Sequence, residues 1–180
     1  MAALATGQLD LSLDKIVDIS PLGYLGVDGA GYDDHTGRFW LAGAGKVVEI
    51  DPLTGQKFSS FSASVVPGLS GASALAVHPR TGNLFLLGWA ASGEVTQAGS
   101  LVNTISSHNV VAAAFAPNGD LYAVDGYPWA SGPGDGALHR VNPHTGAFET
   151  TVPIQGYTDA YTGFGLVGAM ASDPATRAVF

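Results

Sequence analysis

The chain has 180 residues, 46% of them hydrophobic and only 12% charged, enough apolar material for one domain with a real core and too little charge for a disordered chain. Seven basic against fifteen acidic residues leave a formal charge of -8, so no basic surface can neutralise a phosphate backbone and nucleic acid is not expected as a partner. Cysteine is absent, which removes disulfides, thiolate metal sites and cysteine nucleophiles together.

Residues 1–14 read as an N-terminal extension with neither the basic nor the apolar region of a signal peptide. No run of about 20 apolar residues follows, so no membrane span is expected. The compartment stays open: either the protein is cytoplasmic, or it is a secreted or cell-surface bacterial protein, as the acidic, cysteine-free composition favours, and its export signal lies outside this chain. Lys15-Ile16-Val17-Asp18-Ile19, closed by Ser20-Pro21, alternates as a strand does. Four strands a, b, c and d are then expected at 29–34, 38–43, 46–51 and 56–62. A second set is expected at 73–78, 83–88, 94–97 and 101–105, and a third at 110–116, 120–125, 137–142 and 147–153. The hairpin Ser172-Asp173-Pro174-Ala175-Thr176-Arg177-Ala178-Val179-Phe180 opens a fourth. The units so defined are 28–62, 72–106, 110–153 and an incomplete 166–180.

The turns repeat as well as the strands. Asp51-Pro52-Leu53-Thr54-Gly55 and Asn142-Pro143-His144-Thr145-Gly146 match, with Pro fixing φ at the second position and Gly supplying the positive φ that re-enters a strand. Gly55 and Gly146 stand two periods of roughly 45 residues apart, the repeat length of four-stranded blades. Copies of strand a are rich in small residues, Gly29-Ala30-Gly31, Ala72-Ser73-Ala74 and Ala112-Ala113-Ala114, as the crowded axis of a radial array requires. The other reading of 110–116 is a short helix, which Pro117 would cut early.

The segments Ile50-Asp51-Pro52-Leu53-Thr54-Gly55, Leu121-Tyr122-Ala123-Val124-Asp125-Gly126 and Val141-Asn142-Pro143-His144-Thr145-Gly146 resemble blades of the bacterial β-propeller group that includes NHL-type and gluconolactonase-type propellers. The resemblance covers about residues 15–180. It implies an all-β propeller of about four four-stranded blades with the last incomplete, either part of a larger propeller or a closed four-bladed ring. A part would expose an apolar edge and self-associate through it.

In such a fold the d-to-a and b-to-c connections share one rim and the a-to-b and c-to-d turns the other. The first set carries the unusual residues: Trp89, His108, Asn109, Asp125, Tyr127, Trp129, Tyr157 and Asp159. Aromatic rings beside carboxylates around a concavity suit a small molecule, a glycan or a protein; the alternative is that they only cover the sheet ends. By the resemblance, Asp28, Asn109, Asp125 and Asp159 would be the ligands of a divalent cation, Ca²⁺ or another hard ion, although the family's first-blade Glu has no counterpart here. Asp33-Asp34-His35 falls in an a-to-b turn and reads as solvated, as do the turn histidines 35, 78 and 144. His139 lies within a strand, on the face that Val48 occupies in the first unit. Gly163-Phe164-Gly165-Leu166-Val167-Gly168 spells a dinucleotide fingerprint without the strand and helix that would confirm it. No catalytic constellation is complete. Two functions stay open, a binding or interaction module and a metal-dependent lactonase or hydrolase.

Overall fold

The computed structural model describes residues 16–23, 26–106, 109–125, 137–153, 172–173 and 178–179. Its strands are β1 (Gly29–Asp33), β2 (Arg38–Gly43), β3 (Lys46–Ile50), β4 (Lys57–Ser62), β5 (Ala74–Val77), β6 (Leu84–Leu87), β7 (Ser92–Val95), β8 (Leu101–Ile105), β9 (Val110–Phe115), β10 (Leu121–Asp125), β11 (Ala137–Val141), β12 (Phe148–Pro153), β13 (Ser172–Asp173) and β14 (Ala178–Val179). They form three four-stranded antiparallel meanders, β1 to β4, β5 to β8 and β9 to β12, and one two-stranded hairpin, β13 with β14. Among the described residues there is no α-helix, so the alanine-rich stretch Val110–Phe115 is a strand.

Side-chain burial is lowest on the outer strands and, in the first sheet, peaks on β2 and β3 before the partly exposed inner strand β1. Outer strand β4 alternates between exposed and half-buried residues, whereas β6 and β9 are buried throughout. A strand sandwiched between two sheets hides both faces and therefore reads as a continuous apolar run. β5 packs against β1 on one side and β9 on the other, so the three first strands stand side by side at the centre.

Two apolar layers hold the sheets together. Between the first and second, Trp40 and Val47 meet Leu75, Leu84 and Leu86, with Val66 and Leu69 of the β4–β5 connection filling the gap. Between the second and third, Phe85 and Leu87 meet Val110, Phe115, Leu121 and Val141. The rings of Phe85 and Phe115 lie edge to face at 4.9 Å, an arrangement that contributes about 0.5–1.5 kcal/mol beyond the area it buries. A shift in register recurs at the same place in each four-stranded sheet, between Glu49 and Ile50, Glu94 and Val95, and Arg140 and Val141. Each such bulge bends the outermost pair and increases its twist.

Two expected strands differ. Residues 16–19 are not a strand: Asp18 accepts the Ser20 N–H at 2.9 Å and its hydroxyl at 2.6 Å, and the chain enters a 3₁₀ turn, Ser20–Leu22, with Pro21 in its first turn. Ile19 and Leu22 instead cover Leu41, Val48 and Ile50 on the far face of the first sheet. The third strand of the second sheet is Ser92–Val95 rather than 94–97, because Thr96 already begins a turn closed by Thr96 N–H to Ser100 O at 2.8 Å and Gly99 N–H to Thr96 O at 2.9 Å. Gly93 sits inside that strand because a Cβ there would come within 2.9 Å of Val66 and 3.0 Å of the Asn103 carbonyl.

Candidate functional site

One five-residue turn serves four of the six a-to-b and c-to-d connections in the three four-stranded sheets. Its first side chain accepts main-chain N–H groups two and three residues on: Asp51 Oδ1 from Leu53 and Thr54, His78 Nδ1 from Arg80 and Thr81, Asn142 Oδ1 from His144 and Thr145, and Asp33 Oδ1 from His35. Its last residue is a glycine with φ between 68° and 75°, at 37, 55, 82 and 146, whose N–H returns to the carbonyl of the first residue. Carboxylate, imidazole and amide thus do the same work, since each presents one acceptor to two converging donors.

These turns also tie neighbouring sheets together. His35 Nε2 lies 2.8 Å from the Pro79 carbonyl, and Gln97 Nε2 donates to Asp33 Oδ2 at 2.6 Å. Asp33 was expected in a solvated turn and is instead only 1% exposed, because Gln97 of the second sheet closes over it. Burial alone would raise its pKa; hydrogen bonds from the Thr36 hydroxyl, the His35 N–H and Gln97 outweigh it and hold the carboxyl below its ordinary value of 3.8. Burial is also the leading influence on His78, whose pKa is lowered from 6.5 despite the opposing charge of Glu94. Its ring lies against Phe115 at 4.8 Å and Phe85 at 6.3 Å.

On the opposite rim the Asn109 N–H donates to the Trp89 carbonyl at 3.2 Å, which brings two of the expected ligand residues together. The Trp89 side chain is 46% exposed, and Asn109 takes a left-handed φ of 60° as the chain turns into β9. The Asp28 side chain is exposed on this rim, and its N–H is bonded to the Ala42 carbonyl at 2.8 Å. Asp125, paired with Val110, is buried: Oδ1 accepts the Ala137 N–H at 2.9 Å and Oδ2 lies 3.3 Å from His139 Nε2, near enough for a charge contact but not aligned as a hydrogen bond. His108, Tyr127, Trp129, Tyr157 and Asp159 lie outside the described residues, as does the stretch 163–168. Among the described residues no three His, Asp or Glu side chains converge on a metal position, and no helix is long and apolar enough to cross a membrane.

His139 is the residue whose role the sequence did not suggest. It is 4% exposed, its Nδ1 is 3.0 Å from Thr151 Oγ1, and its ring stacks on Phe148 at 3.9 Å. The signal was its position, since a buried polar group on the face that holds Val48 elsewhere must find partners.

Two concavities lie along the innermost strands and share Ala30, Leu75 and Ala113 in their linings. The wider, about 560 Å³, opens among the a-to-b turns and includes Tyr32, Asp33, Asp34, His35, His78 and Phe115 in its lining. The narrower, about 140 Å³, opens beside Asp28 and Ser73. Among the described residues the larger of the two therefore lies at the rim of short turns.

Comparison with solved structures bears on this arrangement of sheets. The chain resembles the WD40 β-propeller domain of Doa1 (13% identity, TM-score 0.53, covering 82% of this chain and 45% of that one). It also resembles the WD40 repeats of RRP9 (14%, 0.52, 71% and 38%) and the structure of U3-55K (13%, 0.51, 71% and 39%). The fold is a β-propeller. The three sheets are its blades, and the chain spans less than half the length of each of those solved chains. At such identities the propeller likeness concerns fold alone. No protein-family model matches the chain, and no curated protein does either.

Proposed function

We propose that this propeller is a binding module whose ligand, a small molecule, a glycan or a protein, docks on the rim of long connections. The observation that carries the reading is the half-exposed Trp89, held to Asn109 by a main-chain bond on the rim where Asp28 is also exposed. An exposed aromatic face supplies contact area at little entropic cost. The solved WD40 relatives support an interaction role in general terms, and the turn motifs support the narrower kinship with NHL-type propellers. Glycan and peptide arrays test the proposal. The expected result is a retained class of ligand that Trp89→Ala no longer holds; an empty array, or retention unchanged in that variant, overturns it.

The lactonase reading requires Asp28, Asn109, Asp125 and Asp159 to hold a divalent cation. One Asp125 oxygen is already engaged by the Ala137 N–H and the other faces His139, so binding would have to displace those contacts. Millimolar Ca²⁺ separates the two functions. A rise in melting temperature that Asp125→Ala abolishes supports the hydrolase, and no rise removes it.

A further inference from the structure

The third sheet carries a pair of buried ionisable side chains that the other two do without. Aligned on their register shifts, the three sheets place Val48, Gly93 and His139 at one position of the third strand, opposite Ser60, Thr104 and Thr151 of the fourth. Two residues on from their second-strand partners Leu41, Leu86 and Ala123 stand Gly43, Gly88 and Asp125. The sheet therefore forms without an imidazole or a carboxylate at either place, while its fourth strand presents an exposed hydroxyl in all three copies. In the third copy that hydroxyl is coupled to the buried pair. Thr151 Oγ1 lies 3.0 Å from His139 Nδ1, and Asp125 Oδ2 lies 3.3 Å from His139 Nε2, an enclosed nitrogen with no hydrogen-bond partner. A buried carboxylate favours the ring proton on the nitrogen nearest to it, Nε2, which leaves Nδ1 to accept from the Thr151 hydroxyl. Phe148, stacked on the imidazole at 3.9 Å and 10°, covers that face of the ring. A base within hydrogen-bond reach of a hydroxyl, and set by a third group, is the arrangement that activates a nucleophile.

We propose that Thr151 is an activated nucleophile that takes an acyl group from an activated ester. Its Oγ1 attacks the ester carbonyl as His139 Nδ1 takes the hydroxyl proton. The tetrahedral adduct then collapses, the bond to the leaving oxygen breaks with the electron pair on that oxygen, and the imidazolium passes its proton to it or to water. The products are an ester at Thr151 and a free alcohol, with nothing oxidised or reduced. β12 is the edge of its sheet, and alternate N–H groups of an edge strand lie outside the ladder, where they can meet the developing oxyanion. Phe148, 41% exposed beside the imidazole, offers apolar surface to the acyl or leaving group. His139 acts on the reacting hydroxyl, and Asp125 positions His139. The site is independent of the Trp89 rim, so either can fail without the other.

The test treats the chain with p-nitrophenyl acetate at neutral pH and follows acetylation residue by residue with peptide mass mapping. Thr104, the same residue type at the same place in the second sheet, is the reference within the molecule, so the first reading needs no variant. Thr151 is expected to gain its acetyl group about a hundredfold or more faster than Thr104. His139→Gln should bring the two rates together, and Thr151→Ser should keep the advantage at residue 151. For Asp125 the readout is the ring itself: nitrogen-15 shifts should place the His139 proton on Nε2, and Asp125→Asn should erase that preference and slow Thr151 while Thr104 keeps its own rate. Three results would overturn the proposal: equal rates at Thr151 and Thr104, a His139→Gln chain that acetylates Thr151 as fast as wild type, or a His139 ring proton whose placement is the same in Asp125→Asn.

Discussion

His78 shows how one side chain couples a turn, a core and the solution pH. Its Nδ1 closes the turn to β6 while its ring leans on Phe115 and Phe85. Burial, the largest influence, lowers its pKa from 6.5, with Arg80 adding and Glu94 opposing. The unfolded chain therefore takes up a proton near 6.5 that the folded chain refuses until lower pH. Stability attached to this group is complete above 6.5 and is lost as pH falls through the interval below it. His78→Asn keeps the acceptor, since Asn142 closes the matching turn with the same two bonds, and removes the titration. Thermal melts at pH 7.5 and pH 5 should show a smaller acid loss in His78→Asn than in wild type; equal losses would mean that His78 is not the responsible group. The turn itself was legible, because Pro at the second place and Gly at the last are backbone requirements written as residue types. Asp33 was not: Asp-Asp-His-Thr-Gly reads as solvated, and the Gln97 that buries it lies 64 residues on.

Strand β1 carries the same lesson one level up. Small residues in the first strand of each unit implied crowding at an axis, and the spacing bears this out: a Cβ on Gly29 would stand 2.7 Å from the Leu75 nitrogen and 2.9 Å from the Ala74 carbonyl carbon. Those neighbours are backbone and cannot swing aside, so Gly29→Ala must push β1 from β5. Overpacking of this kind costs typically about 1–3 kcal/mol, and the variant should unfold at clearly lower denaturant than wild type. Gly26→Ala, with nothing within 4 Å, is the control and should move the midpoint little; equal shifts in both variants would refute close approach as the cause. The strands that escaped the sequence did so for related reasons. Gly93 looks like a strand breaker until Val66 is seen to need its space, and the alternation of residues 15–19 is real but serves a segment whose Asp18 turns it into a 3₁₀ turn.

For the whole molecule, repeated turns announced repeated blades, and small residues in the first strands announced that those strands crowd an axis. Repetition could not say what lies on the far face of the first blade. There Leu41, Val48 and Ile50 are 7%, 2% and 5% exposed because Ile19 and Leu22 lie over them, and Val17 presses on the turn at Gly55, where an added Cβ would meet it at 2.7 Å. Each large aliphatic side chain so covered is worth about 1.5–3 kcal/mol against exposure, and among the described residues the cover is a short segment. Leu22→Asp sets a charge against this apolar surface and should lift the segment while β1 to β4, paired among themselves and packed on the second blade through Trp40 and Val47, stay folded. A newly bared aliphatic face on a paired sheet invites a second copy. Sedimentation velocity over a concentration series should therefore show Leu22→Asp moving to larger species as concentration rises while its circular dichroism keeps the wild-type strand signal. A variant that sediments like wild type at every concentration would show that the segment is not what keeps this face from association.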